Sequence, residues 1–269
     1  MRKKSKKRNK MIGVALVIIV LLFGIITVKF IQYEKIIEDT ERTWLITQYG
    51  PRDVNSMFYT LYGGKGQLIV VDGGWTEDAD FVRQTIKEMG GKVDAWILTH
   101  PHQDHIGAFN AIYSDLQGIE IKEVYTVDMP SPKLCQERAH WDSVDTYNDF
   151  LDLNVKNLKY VYPGDELNIC GLKVDIYNAY DEHVKELSQD YLNDGSMMFK
   201  VQGEKSSMLF CADVGKAMSD YLLDTWGKKL KADYIQMGHH GNGGRGLISK
   251  MKNAGIIQKD GAGKYTRYV

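Results

Sequence analysis

The segment VDAWILTH carries a nearly unbroken apolar run straight into a histidine, and THPHQDH then adds two more histidines and an aspartate within five residues. Continuous hydrophobicity of that length predicts a strand buried on both faces, as in the interior of a parallel sheet. His100, His102 and Asp104 fall at alternate positions as the strand ends, so their side chains can emerge on one side. His105 opens a helix expected to run to Leu116. Imidazole and carboxylate suit zinc, manganese or iron, and four such groups in six residues exceed what one tetrahedral ion takes from a single loop. Two divalent metal ions are therefore expected, zinc first. Five of the seven histidines fall in two short clusters, and the second, His239 and His240, also follows an apolar strand, ADYIQMG.

The rest of the chain alternates strand and helix patterns. TWLITQYG, SMFYTLYG and QLIVVDGG read as three strands, and Asp78 to Met89 as a helix stopped by Gly90 and Gly91. IKEVYTVDM returns as a strand, and Trp141 to Leu153 has helical spacing. Residues 158–180 read as three strands with turns, SMMFKVQGEKSSMLFCADVG as a hairpin, and Val214 to Trp226 as a helix. Strands that meander early and alternate with helices later suggest two sheets between outer helices.

The first ten residues hold seven Lys or Arg, and an uncharged apolar run extends from Met11 to Val28. Extended to Ile31, it is long enough to cross a hydrocarbon core of about 30 Å as a helix. The expected domains are a cytoplasmic basic tail (1–10), a transmembrane anchor (11–31), a stem (32–42) and an extracytoplasmic domain (43–269), a single-pass arrangement in the cell membrane. Beyond the tail, 27 basic residues face 35 acidic ones, a net charge of −8. That argues against a broad electrostatic grip on nucleic acid. Cys135, Cys170 and Cys211 are scattered and odd in number, so no disulfide framework is indicated.

The HxHxDH signature at THPHQDH, the VVDGG turn with Asp72, the acid of LFCADVG and the MGHHGNGG segment, in that order, resemble the metallo-β-lactamase superfamily. The branch most similar includes the metallohydrolase domain of DNA-uptake competence proteins and the cell-surface teichoic-acid phosphorylcholine esterases. The resemblance implies an α/β fold, a four-layer αββα sandwich, preceded here by the single transmembrane helix. It implies that His100 and His102 hold one metal, that Asp104 and His105 hold the second, and that Asp213 bridges them. His239 is taken as the remaining ligand of the second metal in preference to His240, and Asp72 as a structural carboxylate. The paired ions would bring a bridging water to near-neutral pKa, with Asp104 orienting it and accepting its proton as the catalytic group.

Two departures stand out. Where many members place a third histidine for the first metal, this chain has Asn193 and Asp194, which leaves Asn193, Asp194, His183 or water to complete that site. Only twenty-nine residues follow His240, and the tail GLISKMKNAGIIQKDGAGKYTRYV does not read as strands, so either a truncated chain or a short second sheet is expected. Tyr160, Tyr162, Tyr177 and Tyr180 are candidates for a substrate groove, and His140 for a residue reaching the cleft. The expected function is phosphodiester or phosphoester hydrolysis of a cell-wall polymer or nucleic acid. Alternatives are hydrolysis of a lactam, lactone or thioester, or an inactive binding module on the same fold.

Overall fold

A computed structural model of the protein describes residues 23–24, 26–32, 34–35, 43–50, 58–241 and 245–255. The chain divides into two compact units, Met1–Thr43 and Trp44–Val269. In the first, the described residues before Thr43 are helical. The basic tail and most of the anchor expected over 11–31 lie outside the described residues. No helix among the described residues is long and apolar enough to cross a membrane.

The second unit begins with β1 (Trp44–Tyr49), β2 (Phe58–Gly63), β3 (Leu68–Val71), α1 (Ala79–Glu88), β4 (Lys92–Val93), β5 (Ala95–Ile97), α2 (Gln103–Ser114), β6 (Glu120–Ile121) and β7 (Val124–Val127). It continues with α3 (Pro132–Arg138), α4 (Asp145–Asp152), β8 (Leu158–Val161), β9 (Glu166–Ile169), β10 (Leu172–Asn178), α5 (Glu182–Leu187) and α6 (Tyr191–Asp194). The closing elements are β11 (Met198–Gln202), β12 (Ser207–Phe210), α7 (Ser219–Trp226), β13 (Tyr234–Gln236) and α8 (Arg245–Asn253).

Six strands form one sheet in the order β1-β2-β3-β5-β7-β8, antiparallel from β1 to β3 and parallel from β3 to β8. Five form the other, β13-β12-β11-β10-β9, antiparallel except for the parallel β12–β13 pair. Residues of β3 and β5 are buried without exception, as the unbroken apolar runs predict. The sheets meet where Tyr59 of β2 stands edge-on to Phe210 of β12, with ring centroids 5.1 Å apart. Outside the first sheet, Trp96 of β5 packs edge-on against Phe109 of α2 at 5.0 Å. Outside the second, α7 lies against β10 and against α8. The layers therefore run helix, sheet, sheet, helix, an α/β sandwich.

Several boundaries differ from the sequence reading, each for a local reason. The strand expected over VDAWILTH is interrupted at Asp94, whose carboxylate accepts from Leu68 N at 3.0 Å and pairs with Lys122. The motif helix starts at Gln103, with His102 as its N-cap residue, two residues before the expected start. The helix expected from Val214 starts at Ser219, because Ala212 turns left-handed (φ 44°) and the chain loops through Asp213 first. Helices α3, α5 and α6 were not expected. Each begins at a capping side chain, Ser131, Asp181 and Asp190 respectively, whose oxygen accepts from the backbone N–H three residues on. The tail that did not read as strands is helical over α8, burying Leu247, Ile248 and Met251.

The VVDGG turn docks onto α2 through backbone contacts as well as through the Asp72 side chain. Gly73 N donates to His105 O at 2.7 Å, and Ala108 N to Gly74 O at 3.0 Å. A Cβ on Gly107 would stand 2.6 Å from the backbone nitrogen of Thr76. Gly107→Ala is thus expected to cost about 1–3 kcal/mol, because backbone rather than a flexible side chain must give way. Denaturant unfolding checks it, and an unchanged midpoint would show that the two segments do not approach this closely.

Candidate metal centre

All the candidate side chains sit at ends of strands. His100 follows β5, His102 caps α2, and Asp104 and His105 occupy its first turn. Asp213 follows β12, while His239 and His240 lie in a short turn after β13. The parallel pairing of β12 with β13, and of β3 with β5, brings these outlets to one end of the two sheets.

Each motif histidine has one ring nitrogen tied to the protein and the other turned to the cluster. His105 Nδ1 lies 2.8 Å from Asp72 Oδ2, and its Nε2 lies 3.2 Å from His240 Nε2 and 3.4 Å from Asp213 Oδ1. Thr99 Oγ1 donates to Asp72 Oδ2 at 2.8 Å, which leaves its oxygen to accept from His100 Nδ1 at 3.1 Å. His102 Nε2 meets Asp142 Oδ2 at 2.8 Å. By these partners both His100 Nε2 and His102 Nδ1 carry lone pairs, yet they stand 3.0 Å apart. Two lone pairs at that distance call for a shared cation or proton.

Two sets of three donors are mutually within 4.8 Å: His100, His105 and Asp213, and Asp104, His105 and His240. His105 belongs to both. Asp213 Oδ1 is buried without a hydrogen-bond partner of acceptable geometry among the described residues, and its Oδ2 lies 3.5 Å from His240 Nε2. Mixed imidazole and carboxylate donors, with an orphaned buried carboxylate oxygen among them, fit a divalent cation such as zinc.

The geometry reverses the preference for His239. Asp104 Oδ2 lies 3.1 Å from His240 Nε2, whereas His239 reaches only 4.0 Å from Asp213 and its side chain is 37% exposed. Both histidines have positive φ, so the turn swings the second ring rather than the first into the cluster. His102 touches His100 but joins neither set of three. Of the candidates for a further ligand, Asp194 has both oxygens engaged, by Ser188 Oγ at 2.5 Å and Gly215 N at 2.7 Å. Asn193 is held by Asp190 and keeps a buried, unpartnered Oδ1. His183 stacks on Tyr221 instead, at 4.3 Å, and His140 is exposed.

The four tyrosines do not share a groove. Tyr160 lines a cavity of about 270 Å³ with His100, Tyr147 and Phe150, but Tyr162 donates to Asp128, Tyr177 packs on Trp226, and Tyr180 on Tyr191. Residues missed by the sequence reading include Asp142 and Gln236. The Oε1 of buried Gln236 accepts from Cys211 N at 2.8 Å and Ala212 N at 2.9 Å, bracing the Asp213 loop from the strand that leads to His240. Neither belongs to a motif; only the fold brings them in.

Charge states follow from this packing. Burial disfavours the charged form of His100 and, with the neighbouring histidines, holds its pKa well below the ordinary value. Burial also opposes a proton on His105, but Asp213 and Asp72 outweigh it and raise its pKa well above 6.5. Burial would raise Asp104, yet the hydrogen bond to His240 and the charges of His105, His240 and His102 bring it down to about 2. Asp213 is lowered in the same way, burial being overcome chiefly by His105.

In metal-stripped protein these shifts have opposite signs. His105, raised on folding, contributes stability that is present below its ordinary value of 6.5 and is lost as pH rises through its folded value. Asp104 and Asp213, depressed on folding, contribute stability that is present above their ordinary 3.8 and is lost as pH falls through the folded values. His100, depressed on folding, adds a loss of stability as pH falls below its ordinary 6.5, so denaturant unfolding in chelator is expected to give maximal stability near that value, declining on both sides. A flat profile on the alkaline side would show that His105 carries no proton in the folded protein. Asp72→Ala, which strands Thr99 N, Thr99 Oγ1 and His105 Nδ1, is expected to cost roughly 2–4 kcal/mol in the same measurement.

Comparison with known proteins bears on the family and the fold. Residues 49–164 match the family model for the metallo-β-lactamase superfamily. An archaeal protein named RNase aCSPSF2, from Saccharolobus solfataricus, is 26% identical over 172 residues, covering 61% of this chain and 32% of that protein. A hydroxyacylglutathione hydrolase from Aliivibrio fischeri is 29% identical over 121 residues, covering 44% of this chain and 46% of the relative. The chain thus spans between a third and a half of the length of these curated relatives. Among solved structures, a B3 metallo-β-lactamase with an active-site glutamic acid superposes with a TM-score of 0.52 at 14% identity, over 81% of this chain and 91% of the other. The Rm3 metallo-β-lactamase gives 0.51 at 13%, over 78% and 80%. At these identities the likeness concerns the fold.

Proposed function

We propose that the chain, whose residues 49–164 match the model of the metallo-β-lactamase superfamily, is a metal-dependent hydrolase of that superfamily and a binuclear phosphoesterase, cleaving a phosphodiester in a cell-wall polymer or nucleic acid. The observation that carries this reading is the pair of donor sets sharing His105, with Asp213 in reach of both. His100, His102 and Asp213 would hold one ion, and Asp104, His105, His240 and Asp213 the other. Ions bound there would supply Lewis acidity and lower the pKa of a bound water.

The chain's own groups do the rest. Asp104, ionised above about pH 2, offers Oδ2 as the acceptor for the proton that the attacking water loses. His240 Nε2 stands 3.1 Å from that oxygen, so the two side chains are placed to hold one ion together. Asp72 holds His105 in place through Nδ1. The match to an RNase supports a phosphodiester, while the net charge of −8 beyond the tail favours a substrate other than long nucleic acid. A second reading, thioester hydrolysis, draws on the hydroxyacylglutathione hydrolase match. The basic tail and the apolar run to Ile31 support anchoring in the cell membrane with the hydrolase domain outside.

Purified protein loaded with zinc or manganese is expected to hold two ions and to hydrolyse a bis-aryl phosphate. Chelator should remove the activity, and Asp104→Ala should lower kcat about 1000-fold. Turnover of a thioester or β-lactam alone would replace the phosphodiester reading, and a protein that takes up no metal would be a binding module.

A further inference from the structure

The segment between α3 and α4 reaches across to the motif. Asp142, forty residues beyond His102, places Oδ2 2.8 Å from His102 Nε2, and the two side chains are only 20% and 12% exposed. We propose that Asp142 is a positioning residue for the metal centre, fixing His102 in the tautomer protonated on Nε2 so that Nδ1 is the atom presented beside His100 Nε2. The inference rests on the metal-centre reading given above.

The chemistry of the pair carries it. An ionised carboxylate only accepts hydrogen bonds, so a ring nitrogen facing it must bear the hydrogen, and a neutral imidazole then has its lone pair on the other nitrogen. His100 and His105 are each oriented from the first sheet's own outlet, by Thr99 and Asp72. His102 receives no such partner from β5 or from the turn after β3. As the N-cap residue before α2 it makes no side-chain cap bond, and the contact with Asp142 decides which nitrogen faces the cluster.

The segment is built to hold that contact. Asp142 N donates to Ala139 O at 3.0 Å, continuing the turn that closes α3. Beyond it, Asn110 of α2 donates to Thr146 O at 2.9 Å, and Tyr147 donates to Met129 O at 3.1 Å. Cys135, Tyr147 and Phe150 are buried on either side. A carboxylate carried on a segment held from both ends and aimed at a ligand's far nitrogen is the arrangement by which outer partners set ligand basicity and metal affinity.

The test compares wild type with Asp142→Ala and Asp142→Asn. Zinc affinity is read by competition with a chromogenic chelator, and the His102 tautomer by long-range proton–nitrogen correlation spectra of metal-free protein. Asp142→Ala is expected to weaken zinc binding 10- to 100-fold at one of two sites and to give His102 a mixture of tautomers. Asp142→Asn, which keeps an acceptor oxygen, should retain the Nε2–H tautomer and much of the affinity, so the idea stays testable if the alanine variant folds poorly. Wild type binding two zinc ions, with both variants unchanged in affinity and tautomer, would overturn the positioning role and leave the metal centre standing. Wild type binding no zinc would overturn both.

Discussion

Where the first sheet hands over to the motif helix, one carboxylate joins three segments that the sequence keeps apart. Asp72 Oδ1 accepts from Thr99 N, and Oδ2 from Thr99 Oγ1 and His105 Nδ1, each at 2.8 Å. Its backbone takes part as well: Asp72 N donates to Ile97 O, and Asp72 O accepts from Trp96 Nε1, both at 2.8 Å. The end of β3, the outlet of β5 and the start of α2 are therefore fixed relative to each other by one residue. A buried carboxylate is tolerable only when its oxygens are satisfied, so these bonds are a condition of the fold as much as of the site. Asp72 adopts them from a left-handed backbone (φ 57°), a conformation aspartate tolerates better than most residues, and two glycines follow it to let α2 approach.

The second sheet reaches the same point by different means. Ala212, His239 and His240 all have φ near +50°, so the backbone on either side of Asp213's loop and the histidine turn is held where side chains are disfavoured. Gln236 holds the two together, accepting from Cys211 N and Ala212 N while donating to Met237 O at 2.5 Å. His239 N adds a bond to Ala212 O at 2.9 Å. Asp194 secures the far side of the loop through Gly215 N. Strain of this kind survives only where surrounding bonds over-determine it, and here they converge on the carboxylate and imidazole of the cluster. Pre-organisation on one side rests on a charged group and on the other on a neutral amide; only the first is coupled directly to a histidine ring.

What could be read from the sequence divides along the same line. His100, His102, Asp104 and His105 lie in one segment whose strand-to-helix pattern is local, so their clustering follows from the apolar run and the spacing. The two-sheet sandwich was legible because β3 and β5 are apolar throughout and the later strands form hairpins. The choice between His239 and His240 was not legible, because it depends on two successive left-handed residues that no side-chain pattern announces. The short helices α3, α5 and α6 carry their caps in the sequence but are too brief for periodicity to show. Asp142 and Gln236 are ordinary surface-type residues by composition; their roles exist only because the fold sets them beside distant partners.

Electrostatics give the centre its direction. Asp104 and Asp213 are both held ionised well below neutrality, and the body that carries them is acidic beyond its basic tail. An anionic substrate brought to such a surface meets repulsion from the side chains themselves, and the nearby histidines offset it only as long as they hold protons. His100, buried and held far below its ordinary value, holds none at neutral pH, and its lone pair faces that of His102. The arrangement is therefore that of a cation site: its acids are charged, His100 turns a free nitrogen inward, and the proton held on His105 stands beside the orphaned oxygen of Asp213, where a cation could replace it. On the proposed function, metal occupancy would then be a condition of receiving a negative group as well as of turnover.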